Sequence, residues 1–236
     1  MKGTRPLTND EIRKVAETFD GRFAVRNTSL FMLGVSIGGR ISELLSLRIG
    51  DVWQNAQPVT DVQFDKSIVK GGETSRTVPM NVDAREAVNA LVLWIDANFA
   101  IFSMAEDIAA DFPLFPSRNS GNGVASMKRQ AADKMLRIVF ENAGLNGKLA
   151  THSLRKSFAQ RLYDQTGDIF AVQQMLGHQS VATTQDYLGV NYRSVRDAVE
   201  AMAVVNTDKQ DTTPLYKATD DQLMAAMVNR GYKVSK

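Results

Sequence analysis

With 236 residues, 44% of them apolar and 23% charged, the chain has ordinary globular composition, which excludes wholesale disorder and leaves room for one large domain or two small ones. Its 28 basic and 26 acidic residues leave a net charge of +2, too even to argue for nucleic-acid binding in bulk; such a face would have to come from clustering. The absence of cysteine rules out disulfide scaffolds, thiolate metal sites and cysteine nucleophiles, and the two histidines, His152 and His178, could start a zinc site only if carboxylates completed it. No apolar run approaches a membrane span, and the N-terminus leads into polar Thr8-Asn9-Asp10 rather than an apolar signal core, so a soluble, cytoplasmic protein is expected.

The elements follow in chain order. Thr8 and Glu11 fit a capping box that opens a helix from Asn9 to Phe19. A mostly apolar, buried helix is expected over Ala24 to Ser36, broken by Gly38-Gly39, with a short helix from Arg40 to Leu47. Val52 to Val69 alternates as extended chain, Lys70 to Ser75 reads as a hairpin turn, and Arg76 to Met80 as the returning strand, with Pro79 at an edge or strand end. Asp83 to Asn98 is a strong amphipathic helix, and Asp111 to Val124 is a loop. Ser126, Thr151 and Asp168 are expected to cap helices reaching Asn142, Tyr163 and Leu176; shorter helical stretches follow at Val181 to Leu188 and Ser194 to Val204. Asn206 to Thr213 is polar and aperiodic, and Thr219 could cap a last helix from Asp220 to Asn229. The fold class is therefore mainly α with one small antiparallel β-sheet (α+β).

Three segments carry chemistry. In the first, Gly38-Gly39-Arg40 places an arginine where backbone can approach a ligand closely, and Glu43, one turn on, could brace it. In the second, Thr151-His152-Ser153-Leu154-Arg155 sets an imidazole and a guanidinium on one face of a helix N-terminus, a setting suited to phosphate. In the third, Gly177 turns the chain so that His178 is exposed, and Tyr187 ends the next short helix. Taken singly, each also reads as ordinary structure: a surface ion pair, a solvated arginine, a half-buried tyrosine.

Taken together, the set resembles the tyrosine recombinase family, which includes phage integrases and Xer-type resolvases. The family order of Arg, Lys, His-x-x-Arg, His or Trp, then Tyr reads here as Arg40, Lys70, His152 with Arg155, His178 and Tyr187, with nine residues from His178 to Tyr187. The phrases Gly-Arg-Ile-Ser-Glu-Leu-Leu-Ser-Leu and Leu-Gly-His-Gln-Ser-Val-Ala-Thr-Thr-Gln-Asp-Tyr are close to the family consensus, and the likeness spans Thr8 to Val204. It implies the tyrosine recombinase catalytic-domain fold over residues 1–204, followed by a tail over 205–236.

The reaction that the resemblance implies is transesterification at a DNA phosphodiester through a phosphotyrosine. Arg40 and Arg155 would clamp the non-bridging oxygens with His178, and His152 would assist removal of the Tyr187 proton. Lys70, with Lys66 as fallback, would protonate the leaving oxygen, and Glu43 would orient Arg40. Tyr192 is the nearest alternative nucleophile. No metal and no cofactor is expected. The implied partners are double-stranded DNA, further copies of the chain as a tetramer on DNA, and accessory proteins, with no membrane. Competing functions are a type IB topoisomerase, an accessory DNA-binding protein on a recombinase fold, and a two-histidine metalloenzyme. Family members usually carry a separate N-terminal core-binding domain, whereas this pattern begins almost at Met1. Either an excised domain or a naturally short enzyme, like the fimbrial phase-switch recombinases, fits that; a chain lacking the clamp is expected to bind DNA more weakly. The apolar set Leu215, Leu223, Met224, Met227 and Val228 suits either a groove on a neighbouring protomer or the chain's own domain.

Overall fold

The computed structural model describes residues 3–64, 75–117, 124–188 and the single positions 199 and 202. Residues 1–189 form one compact unit and 190–236 another; the architecture below belongs to the first. The helices expected at Ser194 to Val204 and Asp220 to Asn229, and the boundary at residue 205, lie outside the described residues, apart from 199 and 202.

Helix α1 (Asn9–Thr18) starts at the expected capping box: the Glu11 N–H donates to Thr8 Oγ1 (3.2 Å) and the Thr8 N–H to Glu11 Oε2 (2.9 Å). Helix α2 (Ala24–Ile37) is the central rod. Ten of its fourteen residues are buried, and it packs against α5 (Val82–Phe99) and α8 (Thr151–Thr166). A helix apolar nearly all round has no solvent face to spare and belongs in the middle. One core joins α2 and α5 to the short α3 (Ile41–Ser46), α4 (Ile49–Val52) and the strands; a second joins α1, α2, α7 (Arg129–Asn142) and α8. A third, small cluster joins α8 to α9 (Ile169–Leu176) and α10 (Val181–Leu188), and includes the ring of Tyr187.

The single extended stretch expected from Val52 resolves into several pieces. Val52 closes α4, and β1 (Trp53–Gln54) and β2 (Gln57–Pro58) form a tight hairpin with Asn55 and Ala56 at φ 51° and 58°. Two positive φ angles are what a type I′ two-residue hairpin turn demands; an alanine in the second place conceals it from sequence. Strands β3 (Asp61–Phe64) and β4 (Arg76–Pro79) then pair antiparallel, with Pro79 at the strand end as expected. Among the described residues there are thus two separate two-stranded sheets instead of one. The turn from Lys70 lies outside the described residues up to Ser75.

Two caps also differ. Ser126 sits in a β-bridge with Pro116, and α7 begins after Lys128, because Met127 N–H bonds Phe115 C=O (2.7 Å) and Ser117 N–H bonds Ala125 C=O (2.7 Å). Those bonds hold 125–127 extended. Thr151 is already helical and buried; the preceding Ala150 N–H donates to Ser153 Oγ (3.2 Å), so Ser153 closes the end from inside. Asp168 caps α9 as read, accepting from Phe170 and Ala171. A short helix, α6 (Glu106–Ala110), fills a stretch that the pattern left unassigned. Among the described residues, no helix is long and apolar enough to cross a membrane.

Gly38 terminates α2 with φ 62°, and a Cβ there would lie 2.2 Å from Phe158 Cδ1. Gly38→Ala is expected to cost about 2–4 kcal/mol, left-handed strain plus overpacking. Gly21→Ala is the control: its φ of 74° is also positive, but an added methyl meets nothing within 4 Å, so a loss of about 1 kcal/mol is expected. Urea denaturation midpoints of the two variants check the difference.

Candidate active site

The turn Gly38-Gly39 ends α2 and delivers Arg40 to the start of α3. Glu43, one turn later, folds back onto it: Oε2 accepts from the Arg40 backbone N–H (2.7 Å) and Oε1 from Nη1 (2.8 Å). Glu43 is 0% exposed, and it gathers more than the one arginine expected of it. Arg76, from β4, donates Nη2 to Oε2 (2.5 Å) and Nη1 to Oε1 (3.1 Å); Arg155 Nη1, from α8, lies 3.9 Å from Oε2. Burial pushes the Glu43 carboxyl up, but the hydrogen bonds and charge of Arg76, followed by the backbone and side-chain hydrogen bonds of Arg40, more than offset it, and the group sits at about 2.

Arg155 is buried, and its fork is already anchored. Nη1 donates to Gly38 C=O (2.6 Å) and Nη2 to Leu176 C=O (2.5 Å), so α8 is tied to the turn before Arg40 and to the end of α9. Burial, then repulsion from Arg40 and Arg76, lowers this guanidinium to about 10, which keeps it charged at neutral pH. Two N–H groups thus hold the scaffold, and a further one meets the Tyr187 hydroxyl, since a guanidinium carries more donors than the two that the carbonyls take.

His152 Nδ1 lies 3.2 Å from the Tyr187 hydroxyl, joining α8 to α10. Lys156, one turn further along α8, holds its ammonium 5.3 Å from the centre of the same phenol ring. The His178 and Tyr187 rings meet edge to face at 5.3 Å, and His178 Nδ1 is 3.1 Å from Thr184 Oγ1. Burial, followed by the charges of Arg129 and Arg155, lowers the His152 imidazole; burial, then Arg155, Arg40 and Arg76, brings His178 down to about 4. Burial raises the Tyr187 phenol, and the charges of Arg155 and Arg40 pull it back only in part. Six of the residues picked out from sequence, Arg40, Glu43, His152, Arg155, His178 and Tyr187, therefore converge. Lys70 and its fallback Lys66 lie outside the described residues, as does Tyr192. Among the described residues no group of three or more His, Asp and Glu side chains could hold a metal ion.

A model described as the phage integrase family matches residues 5–194. The chain belongs to the phage integrase family. Among curated relatives of this integrase-family chain, the tyrosine recombinase XerD of Mycobacterium leprae (strain TN) is 31% identical over 200 residues, covering 82% of this chain and 59% of that protein. XerD of Halalkalibacterium halodurans is 30% identical over 195 residues, with 82% and 60% covered. The crystal structure of XerA recombinase is similar with a TM-score of 0.64 at 25% identity, covering 85% of this chain and 66% of that one. The Tn1549 transposon integrase in complex with a circular intermediate DNA gives a TM-score of 0.64 at 17% identity over 86% and 67%, a likeness of fold. The fold is that of tyrosine recombinase catalytic domains, and the integrase-family chain spans about three fifths of the length of these curated relatives.

Sequence reasoning missed Arg76. The signal was present: inward and outward positions alternate along β4, and an arginine fills an inward one, stacked 4.5 Å from the Phe64 ring. Glu43→Gln removes the charge that faces these guanidinium groups, and a loss of roughly 3–5 kcal/mol at neutral pH is expected. Folding depresses the Glu43 carboxyl from 4.5 to about 2, so its stabilisation is complete above about 4.5 and disappears as pH falls through about 2. Chemical denaturation at a series of pH values should therefore show wild type and Glu43→Gln drawing together over that window.

Proposed function

We propose that this chain is the catalytic domain of a site-specific recombinase that cuts and rejoins double-stranded DNA by metal-independent transesterification. The observation that carries the reading is the contact of the Tyr187 hydroxyl with His152 Nδ1 at 3.2 Å, beside the charges of Arg155 and Arg40. A phenol with an imidazole acceptor, facing fixed cations, is a nucleophile set for a phosphodiester.

In the forward step the Tyr187 oxygen attacks phosphorus. The new Tyr–O–P bond forms as the P–O5′ bond breaks, leaving a 3′-phosphotyrosine and a free 5′-hydroxyl. The phenol proton passes to His152 Nδ1. A phenol whose pKa is raised by burial needs that acceptor at neutral pH. Arg40 and the remaining N–H groups of Arg155 stabilise the charge that grows on the non-bridging oxygens, and His178, neutral at working pH, adds a hydrogen bond. Glu43 orients Arg40, and Lys70 supplies the proton to the departing oxygen. Rejoining is the reverse, with a 5′-hydroxyl of the exchanged strand as attacker; the phosphotyrosine conserves the ester, so no nucleotide cofactor enters. A tetramer on DNA, accessory proteins and the cytoplasm of a bacterial cell complete the reading.

A nicked suicide duplex bearing the cognate site traps the covalent intermediate. Tyr187→Phe is expected to abolish the protein–DNA band and Tyr192→Phe to retain it; the opposite pattern overturns the assignment. Arg40→Ala and Arg155→Ala, in folded protein, should each slow single-turnover cleavage by about 10²–10³-fold, the scale for deleting one oxyanion donor. His152 acts as the neutral base, and its pKa lies below the ordinary 6.5. Cleavage should then hold its rate as the pH falls past 6.5 and decline only below it; a decline centred above 6.5 would exclude His152 as the base.

A further inference from the structure

The turn after α9 fixes the backbone of His178 on both sides: its N–H donates to Gln173 C=O (3.1 Å) and its C=O accepts from Gln173 Nε2 (2.9 Å). The ring is fixed separately. Thr184, one turn before Tyr187 on α10, is 0% exposed, and its hydroxyl meets His178 Nδ1 at 3.1 Å. Among the described residues that hydroxyl has no other partner: no carbonyl of α10 takes it, and at zero exposure no solvent reaches it.

This decides which way the proton points. A neutral imidazole has one N–H and one lone pair. If Nδ1 carried the proton, it would donate to Oγ1, and the threonine's own proton would be buried with no acceptor, at the full desolvation cost of an unmade bond. If Nδ1 is the acceptor, the threonine proton is satisfied and the ring proton sits on Nε2. Among the described residues Nε2 has no hydrogen-bond partner.

We infer that Thr184 is a positioning residue that holds His178 in the Nε2–H tautomer, making it an obligate donor to a phosphate oxygen. The tautomer stands on the geometry alone; its use on phosphate rests on the recombinase reading above. The opposite tautomer would turn a lone pair toward the anion. Burial, then the charges of Arg155, Arg40 and Arg76, favours the neutral ring, whose edge-to-face neighbour is the Tyr187 phenol. Because Thr184 and Tyr187 share α10, the segment that brings the nucleophile also sets the donor.

The chain's two histidines make the test clean. With ¹⁵N-labelled histidine, the ring whose signals vanish in His178→Asn is assigned, and its tautomer is read at neutral pH. Wild type and Thr184→Ser should show the proton on Nε2; Thr184→Val should admit the Nδ1–H form. Thr184→Val should also slow single-turnover cleavage by about 10–100-fold, the range for removing a partner that orients a histidine. DNA affinity should stay within about twofold, and Thr184→Ser should recover most of the rate. A wild-type His178 protonated on Nδ1 overturns the inference without any variant, as does a Thr184→Val ring that keeps the wild-type tautomer. Should Thr184→Val not fold, Thr184→Ala is read in the same way. A covalent band that survives Tyr187→Phe would sink the recombinase reading and leave the tautomer result untouched.

Discussion

A carboxylate withdrawn from water keeps its charge only if positive charge and N–H donors replace its hydration. Glu43 meets that condition with groups from three parts of the chain: the backbone and side chain of Arg40, the fork of Arg76 on β4, and more distantly Arg155 on α8. The dependence runs both ways. Three guanidinium groups in one region would repel one another, and the repulsion between Arg155 and both Arg40 and Arg76 is felt in the lowered pKa of Arg155. The buried anion offsets that repulsion and so permits a cationic site inside a nearly neutral protein.

The second constraint is backbone. Arg155 spends two donors on the carbonyls of Gly38 and Leu176, which fasten α8 to the turns that present Arg40 and His178. Leu176 and Gly38 lie far apart in sequence, so one buried side chain registers three site elements at once. Arg76 adds a strut of the same kind, donating Nε to Met175 C=O (3.0 Å). The tolerance of Gly177 is correspondingly narrow: a Cβ there would come within 3.1 Å of Arg76 Cδ, at φ 62°. Such over-determined arrangements are what a preorganised electrostatic site requires, since donors that must first reorganise lose much of their effect.

The site is therefore a cationic floor, tied together by buried hydrogen bonds, with a phenol docked on it by lighter contacts. Tyr187 is held by hydroxyl contacts to His152 and Arg155, by ring contacts to His178 and Lys156, and by a small apolar cluster with Leu162 and Tyr163. The two imidazoles differ in setting. His152 is partly open to solvent at the head of α8, where partial burial, then Arg129 and Arg155, opposes its protonation; His178 is more enclosed and lower still. Folding thus disfavours protonation of both imidazoles, and of His178 the more strongly.

Local physics made most of this legible. The capping box at Thr8, the Asp168 cap and the apolar length of α2 are short-range signals, and they were read directly. The order of Arg40, His152, Arg155, His178 and Tyr187 along the chain carried the resemblance to the tyrosine recombinase family, and the chemistry expected was what that resemblance implies. Contacts across the chain were not legible. Nothing local shows that Arg76 reaches Glu43, that Arg155 is tethered by Gly38 and Leu176, or that Thr184 faces an imidazole. The β1–β2 hairpin, with Ala56 at positive φ, and the bridge that delays α7 past Ser126 were hidden for the same reason. Sequence by itself pointed to the side chains that carry the resemblance; only the tertiary structure decided how their charges balance and which partners they meet. Those depend on burial and on partners that no local window contains.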